Sequence, residues 1–106
     1  MTCAVNARLG DILRAIDEIE RRLAEDLPDD ALHDALCFQL LVIGEAVKYL
    51  DPDVTDRVPG VPWQRIAGLR DVIVHEYFRI DLGRIRDIVT LDIPPLRTAV
   101  AALLDP

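Results

Sequence analysis

Aromatic residues, glycine and cysteine are all scarce in this chain: one Trp, two Tyr, two Phe, five Gly and two Cys among 106 residues. Low glycine and the near absence of low-complexity sequence exclude a fibrous or disordered chain, and 51% apolar residues suffice for one hydrophobic core. A single domain covering residues 1–106 follows. Cys3 and Cys37 lack metal-ligand spacing, and two cysteines do not make a disulfide scaffold, so reduced thiols are the expectation. No apolar run approaches the length of a bilayer span. The segment MTCAVNARLG has no basic region leading into an apolar one, as a secretory signal would. A soluble cytoplasmic protein, with no membrane partner, is therefore expected. Strand-like alternation, hairpin turn signals, a Gly-rich phosphate loop, a G-x-S-x-G elbow and an HExxH pair are absent too.

What is present is helical periodicity. Val5, Leu9, Ile12, Leu13, Ile16, Ile19, Leu23 and Leu27 recur at steps of three and four, with charged residues of both signs between them. Pro28 ends this helix, and Asp29 or Asp30 is placed to cap the next. Its apolar set, Leu32, Leu36, Leu40, Ile43, Val47 and Leu50, covers more of the circumference and marks the central helix. DPDVTDRVPGVP, residues 51–62, reads as a loop, with Pro62 at the first position of a third helix running from Pro62 or Trp63 to about Phe78. A fourth is expected over Ile80–Ile93, broken by Pro94-Pro95 before a short last helix. The fold class is all-α: an antiparallel bundle of four to five helices.

Charge is uneven. The net charge is −7, but residues 1–56 hold five basic and thirteen acidic groups, whereas residues 57–97 hold seven arginines against five acids. Total charge disfavours general nucleic-acid binding; the local field of the second half is the weak exception. His33 stands among Asp29, Asp30 and Asp34, yet aspartates at a helix start serve more often as caps and dipole partners than as metal ligands.

The second half contains LRDVIVHEYF, residues 69–78. On a helical wheel Ile66, Leu69, Val72 and Ile73 form the face toward the bundle, while Arg70, Val74 and Tyr77 lie within about 60° of one another on a second face, half apolar and half polar. Such a face suits a cleft or a self-association surface. Arg70 and His75 are about 140° apart on a straight helix. Convergence needs a long arginine reach, a deformed helix, or groups from two protomers. Asp71 and His75 form an i,i+4 pair, through which the carboxylate would hold the imidazole. Histidine supplies acid–base catalysis near neutral pH, and arginine grips and stabilises phosphate charge. On RNA the nucleophile is the substrate's own 2′-hydroxyl, so no Ser or Cys is required. The plainer reading is a solvated histidine and an arginine paired with Asp71 or Glu76 on the surface. Trp63 reads as a packing anchor with its indole N–H bonded, and Glu45, in an apolar segment, needs a partner.

IGEA at residues 43–46, VPW at 61–63, IAGLRDVIVHEY at 66–77 and ID at 80–81 occur in the order found in one family. The chain resembles the HepT toxins of the HEPN ribonuclease group, whose signature R-x4-H-x-Y is met by Arg70, His75 and Tyr77. The resemblance implies a homodimer with the motif in an interface cleft and a metal-independent, cofactor-free endoribonuclease acting on tRNA or mRNA. It places Arg70 and His75 in the active site, with no metal, and Asp71 fits the usually polar position after the arginine. Asp71, through its spacing, and Glu45 are candidate supports; Glu45 is equally a helix-surface carboxylate, a choice the resemblance does not make. The resemblance implies an MntA-like minimal nucleotidyltransferase as antitoxin, silencing the toxin by adenylylation (AMPylation) of Tyr77. HEPN domains also include non-catalytic members, so a helical dimer that only docks the nucleotidyltransferase is the alternative.

Overall fold

The computed structural model describes residues 2–104, and every regular element among them is helical. Three long helices, α1 (Cys3–Ala24), α2 (Asp29–Lys48) and α6 (Leu82–Leu103), carry the core; α3 (Pro52–Thr55), α4 (Trp63–Ala67) and α5 (Leu69–Glu76) are short. The fold is all-α, as the periodicity requires. No helix among the described residues is long and apolar enough to cross a membrane.

α2 is central: α1, α4, α5 and α6 all pack on it. Leu36, Leu40 and Ile43 are wholly inaccessible to solvent and meet Leu9, Ile12, Ile16 and Ile19 of α1 in one continuous core. Each side chain so buried contributes about 1.5–3 kcal/mol relative to exposure, which is why the amphipathic stripe sets the orientation of each helix. Thr2 caps α1 by accepting the Val5 N–H at 3.2 Å, and Asp81 caps α6 by accepting that of Arg84 at 2.8 Å.

Five expectations need correction. Neither Asp29 nor Asp30 caps α2: Pro28 occupies that position without a side-chain bond, and Asp29 is already helical. Residues 51–62 are not loop throughout, because Pro52, with its φ preset, opens the single turn α3. Likewise Pro62 precedes its helix rather than starting it.

The single helix expected up to Phe78 is two, divided at Gly68, whose ψ of −7° turns the chain between α4 and α5. Glycine propagates a helix poorly, and the turn lets both segments lie against α2.

Finally, Pro94-Pro95 does not end the last helix. α6 runs through both prolines to Leu103. An interior proline costs about 3 kcal/mol. Beyond the pair, however, Leu96, Val100 and Leu103 are buried, and three such side chains recover roughly 5–9 kcal/mol. Arg97 adds bonds to Asp17 at 2.6 Å and Glu20 at 2.8 Å, tying this half of α6 to α1. Packing outweighs the break. At the other edge Arg65 of α4 donates from Nε and Nη2 to the carboxylate of Asp92, the one charged residue buried among those described. A buried carboxylate needs such a partner, and the pair fixes α4 on α6.

Candidate functional site

The site is built where α5 crosses α2, and Gly44 sets the distance. A Cβ at Gly44 would stand 2.6 Å from the backbone nitrogen of Arg70, 3.2 Å from the Ile66 carbonyl and 3.3 Å from Leu69 Cβ. Only a residue without a side chain lets the first turn of α5 come this close. Ile66, Leu69 and Ile73 then face the core, with Val72 partly buried beside them, as the wheel requires. Trp63 anchors the approach, donating its indole N–H to the Val58 carbonyl at 2.8 Å.

Arg70 is part-exposed and donates from Nη1 to Asp71 Oδ1 at 3.0 Å. Asp71 therefore holds the arginine and not the histidine, which corrects the expected Asp71–His75 pair. A fork has five donors, so the others stay free to take a phosphate oxygen. His75 is exposed, and its ring makes no hydrogen bond among the described residues. Glu45 lines a groove of about 480 Å³ between α1 and α2, together with Arg8, Arg14, Phe38 and Val42. No hydrogen bond joins it to Arg70 or His75 among the described residues, so a bracing contact from Glu45 within one protomer is not present.

The second face of α5 is more apolar than a solvated helix surface. Phe78 is 97% exposed and Val74 49%, and Phe38 of α2, 61% exposed, lines the same small cleft as Tyr77. A run of exposed apolar side chains of this kind marks an association surface more often than a free one.

Tyr77 is the best-held residue of the motif. Its hydroxyl donates to Asp34 Oδ1 on α2, and its ring stands edge-on to those of His33 at 5.4 Å and Phe78 at 5.1 Å. His33 is engaged at both nitrogens: Nε2 lies 2.8 Å from the Ile80 carbonyl and Nδ1 3.2 Å from Asp34 Oδ1. It thus braces Asp34 from within α2, and His/Asp/Glu groups able to hold a metal are not found among the described residues. The Tyr77 hydroxyl and His33 keep the Asp34 carboxyl below its usual range; the same carboxylate, with burial second, pushes the Tyr77 phenol above its own. Asp34 was not legible as a site residue, since α2 and α5 meet here across 43 positions of sequence.

Cys37 sits at the floor of this cleft, and burial, with Asp34 nearby, pushes its thiol up to about 11. At pH 8 a thiol of that kind is ionised in about one molecule in a thousand, and thiolate is the reactive form. Brief alkylation at pH 8 should modify exposed Cys3 and spare Cys37, read by peptide mass; equal labelling of both would contradict the buried placement.

The chain matches the family model described as "Ribonuclease HepT-like" over residues 12–103. It is 36% identical over 94 residues to the Thermococcus cleftensis protein named "Probable ribonuclease HepT", covering 84% of this chain and 86% of that one. It is 32% identical over 101 residues to a Methanocaldococcus jannaschii protein named as a candidate RNase, MJ1380, covering 91% and 93%. A second protein of that organism, MJ0434, is named as a gamma-glutamylcyclotransferase and candidate RNase. This chain is 31% identical to MJ0434 over 106 residues, covering 95% of this chain but only about half, 48%, of that one. No solved structure matches.

Proposed function

This chain belongs to the HepT-like ribonuclease family, and from that premise we propose that it is a metal-independent endoribonuclease toxin, working as a dimer and silenced by adenylylation of Tyr77. The observation that carries the reading is the pairing on α5 of an accessible arginine fork, Arg70, with an unengaged imidazole, His75, beside an exposed apolar face.

The chemistry needs little else. An imidazole at His75 takes the proton from the ribose 2′-hydroxyl, whose oxygen attacks the adjacent phosphorus. The 5′-oxygen leaves with a proton returned by an imidazolium, and the products are a 2′,3′-cyclic phosphate and a 5′-hydroxyl. Arg70 offsets the charge that builds on the phosphate oxygens. Because Arg70 and His75 diverge by about 140° around one helix, a cleft shared by two protomers is the simpler source of an arginine and a histidine on one phosphate. Phe38, Val74 and Phe78 supply the apolar surface for that association. Asp71 holds Arg70 in place, and Glu45, which lines the groove between α1 and α2, makes no hydrogen bond to the same protomer's histidine among the described residues. A nucleoside monophosphate on Tyr77, in the same cleft region, would put phosphate charge and bulk where RNA must enter.

Net charge of −7 favours a second reading, in which the helical dimer only docks an MntA-like nucleotidyltransferase antitoxin. The two separate in one experiment. Purified protein, shown by intact mass to be unmodified, is incubated with pooled tRNA and mRNA in EDTA. Cleavage is the expected outcome, with cyclic phosphate ends; intact RNA across several pools would leave the docking role.

A further inference from the structure

The tyrosine of the motif is not a loose rim residue; its hydroxyl points at a carboxylate on another helix. We propose that Asp34 is the proton acceptor that makes Tyr77 a nucleophile toward the α-phosphate of a nucleoside triphosphate. This rests on reading Tyr77 as the site of nucleotidyl transfer, and it assigns part of that chemistry to the target chain itself.

The geometry favours Asp34 over its neighbours. Three groups stand near the hydroxyl: Asp34, His33 and Cys37. The Cys37 thiol holds its proton and is no base at neutral pH. His33 has Nε2 on the Ile80 carbonyl and Nδ1 on Asp34, so it orients the carboxylate instead of meeting the tyrosine hydroxyl. Asp34 alone accepts from the hydroxyl, and its side chain is 61% exposed, open to water on the far side.

The step balances without an oxidant or reductant. The Tyr77 oxygen forms a bond to the α-phosphorus as the bond from that phosphorus to the bridging oxygen breaks. Pyrophosphate leaves with the electron pair. The phenolic proton passes to Asp34 Oδ1 and from there to water. A carboxylate that accepts a hydroxyl proton late in an in-line displacement at phosphorus is a recurring device of phosphoryl-transfer sites. A phenol raised above its ordinary range keeps its proton at neutral pH until such an acceptor takes it.

The test compares wild type with Asp34→Asn, Tyr77→Phe serving as the unmodifiable control. Each is mixed with an MntA-like nucleotidyltransferase from the same genome and Mg–ATP. Modification is timed by the intact-mass gain of one adenylyl group between pH 6 and 9, after circular dichroism has shown that the variants fold. Asparagine can still accept the hydroxyl's hydrogen bond but cannot take the proton. A loss in rate of about a hundredfold or more at pH 7 is expected, narrowing as pH rises and phenolate forms unaided. Equal rates would overturn the role of Asp34 while leaving Tyr77 as the target. So would a constant deficit at every pH, which is the mark of a merely structural residue. Failure of wild type itself to gain mass would overturn the reading of Tyr77, and this inference with it.

Discussion

Replacing His75 with alanine is expected to lower the rate of RNA cleavage by about 10²–10⁴-fold, the usual worth of a positioned acid–base group. The size follows from the absence of any substitute close by on the same helix face. Asp71 is committed to Arg70, and Glu76 accepts from Arg84 at 3.5 Å. Stability should not move, because the ring is exposed and makes no hydrogen bond among the described residues. The melting midpoint and helical content of the variant should therefore match wild type, and so should its sedimentation. Arg70→Lys makes the companion variant. It keeps the charge but loses the planar fork, so a large part of the rate should still be lost. Cleavage by His75→Ala at the wild-type rate would remove this histidine from the mechanism.

A single methyl group at Gly44 should have the largest structural effect. Helix propensity alone would make Gly44→Ala stabilising by about 1 kcal/mol. Against that, the new Cβ would meet the backbone nitrogen of Arg70 at 2.6 Å, and backbone cannot step aside as a flexible side chain can. Overpacking of this kind costs typically 1–3 kcal/mol, occasionally more. The clash should win, with a net loss of up to about 2 kcal/mol in urea melts and a fall in RNA cleavage as α5 is pushed outward with Arg70. Gly10 is the matched control: a Cβ there would find only the Arg14 side chain, at 3.6 Å, an ordinary contact. Gly10→Ala should therefore raise stability by up to about 1 kcal/mol. If both variants are stabilised, the close approach of α5 to α2 is wrong.

The comparison of these two glycines shows what a sequence reading can reach. Both sit inside apolar periodic segments, and nothing in either segment says which one faces another helix backbone. α1 and α2 are legible because their stripes repeat over five or more turns, whereas α6 reads as two helices. The two largest boundary differences lie where a local rule meets the packing of the fold. Proline was read as a stop at residues 94 and 95, and the packing of Leu96, Val100 and Leu103 overrode it. Gly68 gives no signal in the sequence because Ile66, Leu69 and Ile73 keep helical spacing across it, although the backbone turns there. Arg70, His75 and Tyr77 stood out as polar residues on a half-apolar face. Asp34 did not, since three aspartates near a helix start look alike until the fold brings one of them to a tyrosine.

The central place of α2 has a consequence for motion. The helix that carries Gly44, Cys37 and Asp34 is the one on which α1, α4, α5 and α6 all close. Amide groups near Leu40 and Ile43, at the centre of that packing, are therefore expected to be among the slowest in the molecule to exchange with solvent. The platform beneath Arg70 is thus expected to be the most rigid part of the fold. In the proposed dimer, adjustment to RNA is expected from side-chain rotamers at the exposed end of α5 or from one subunit shifting against the other.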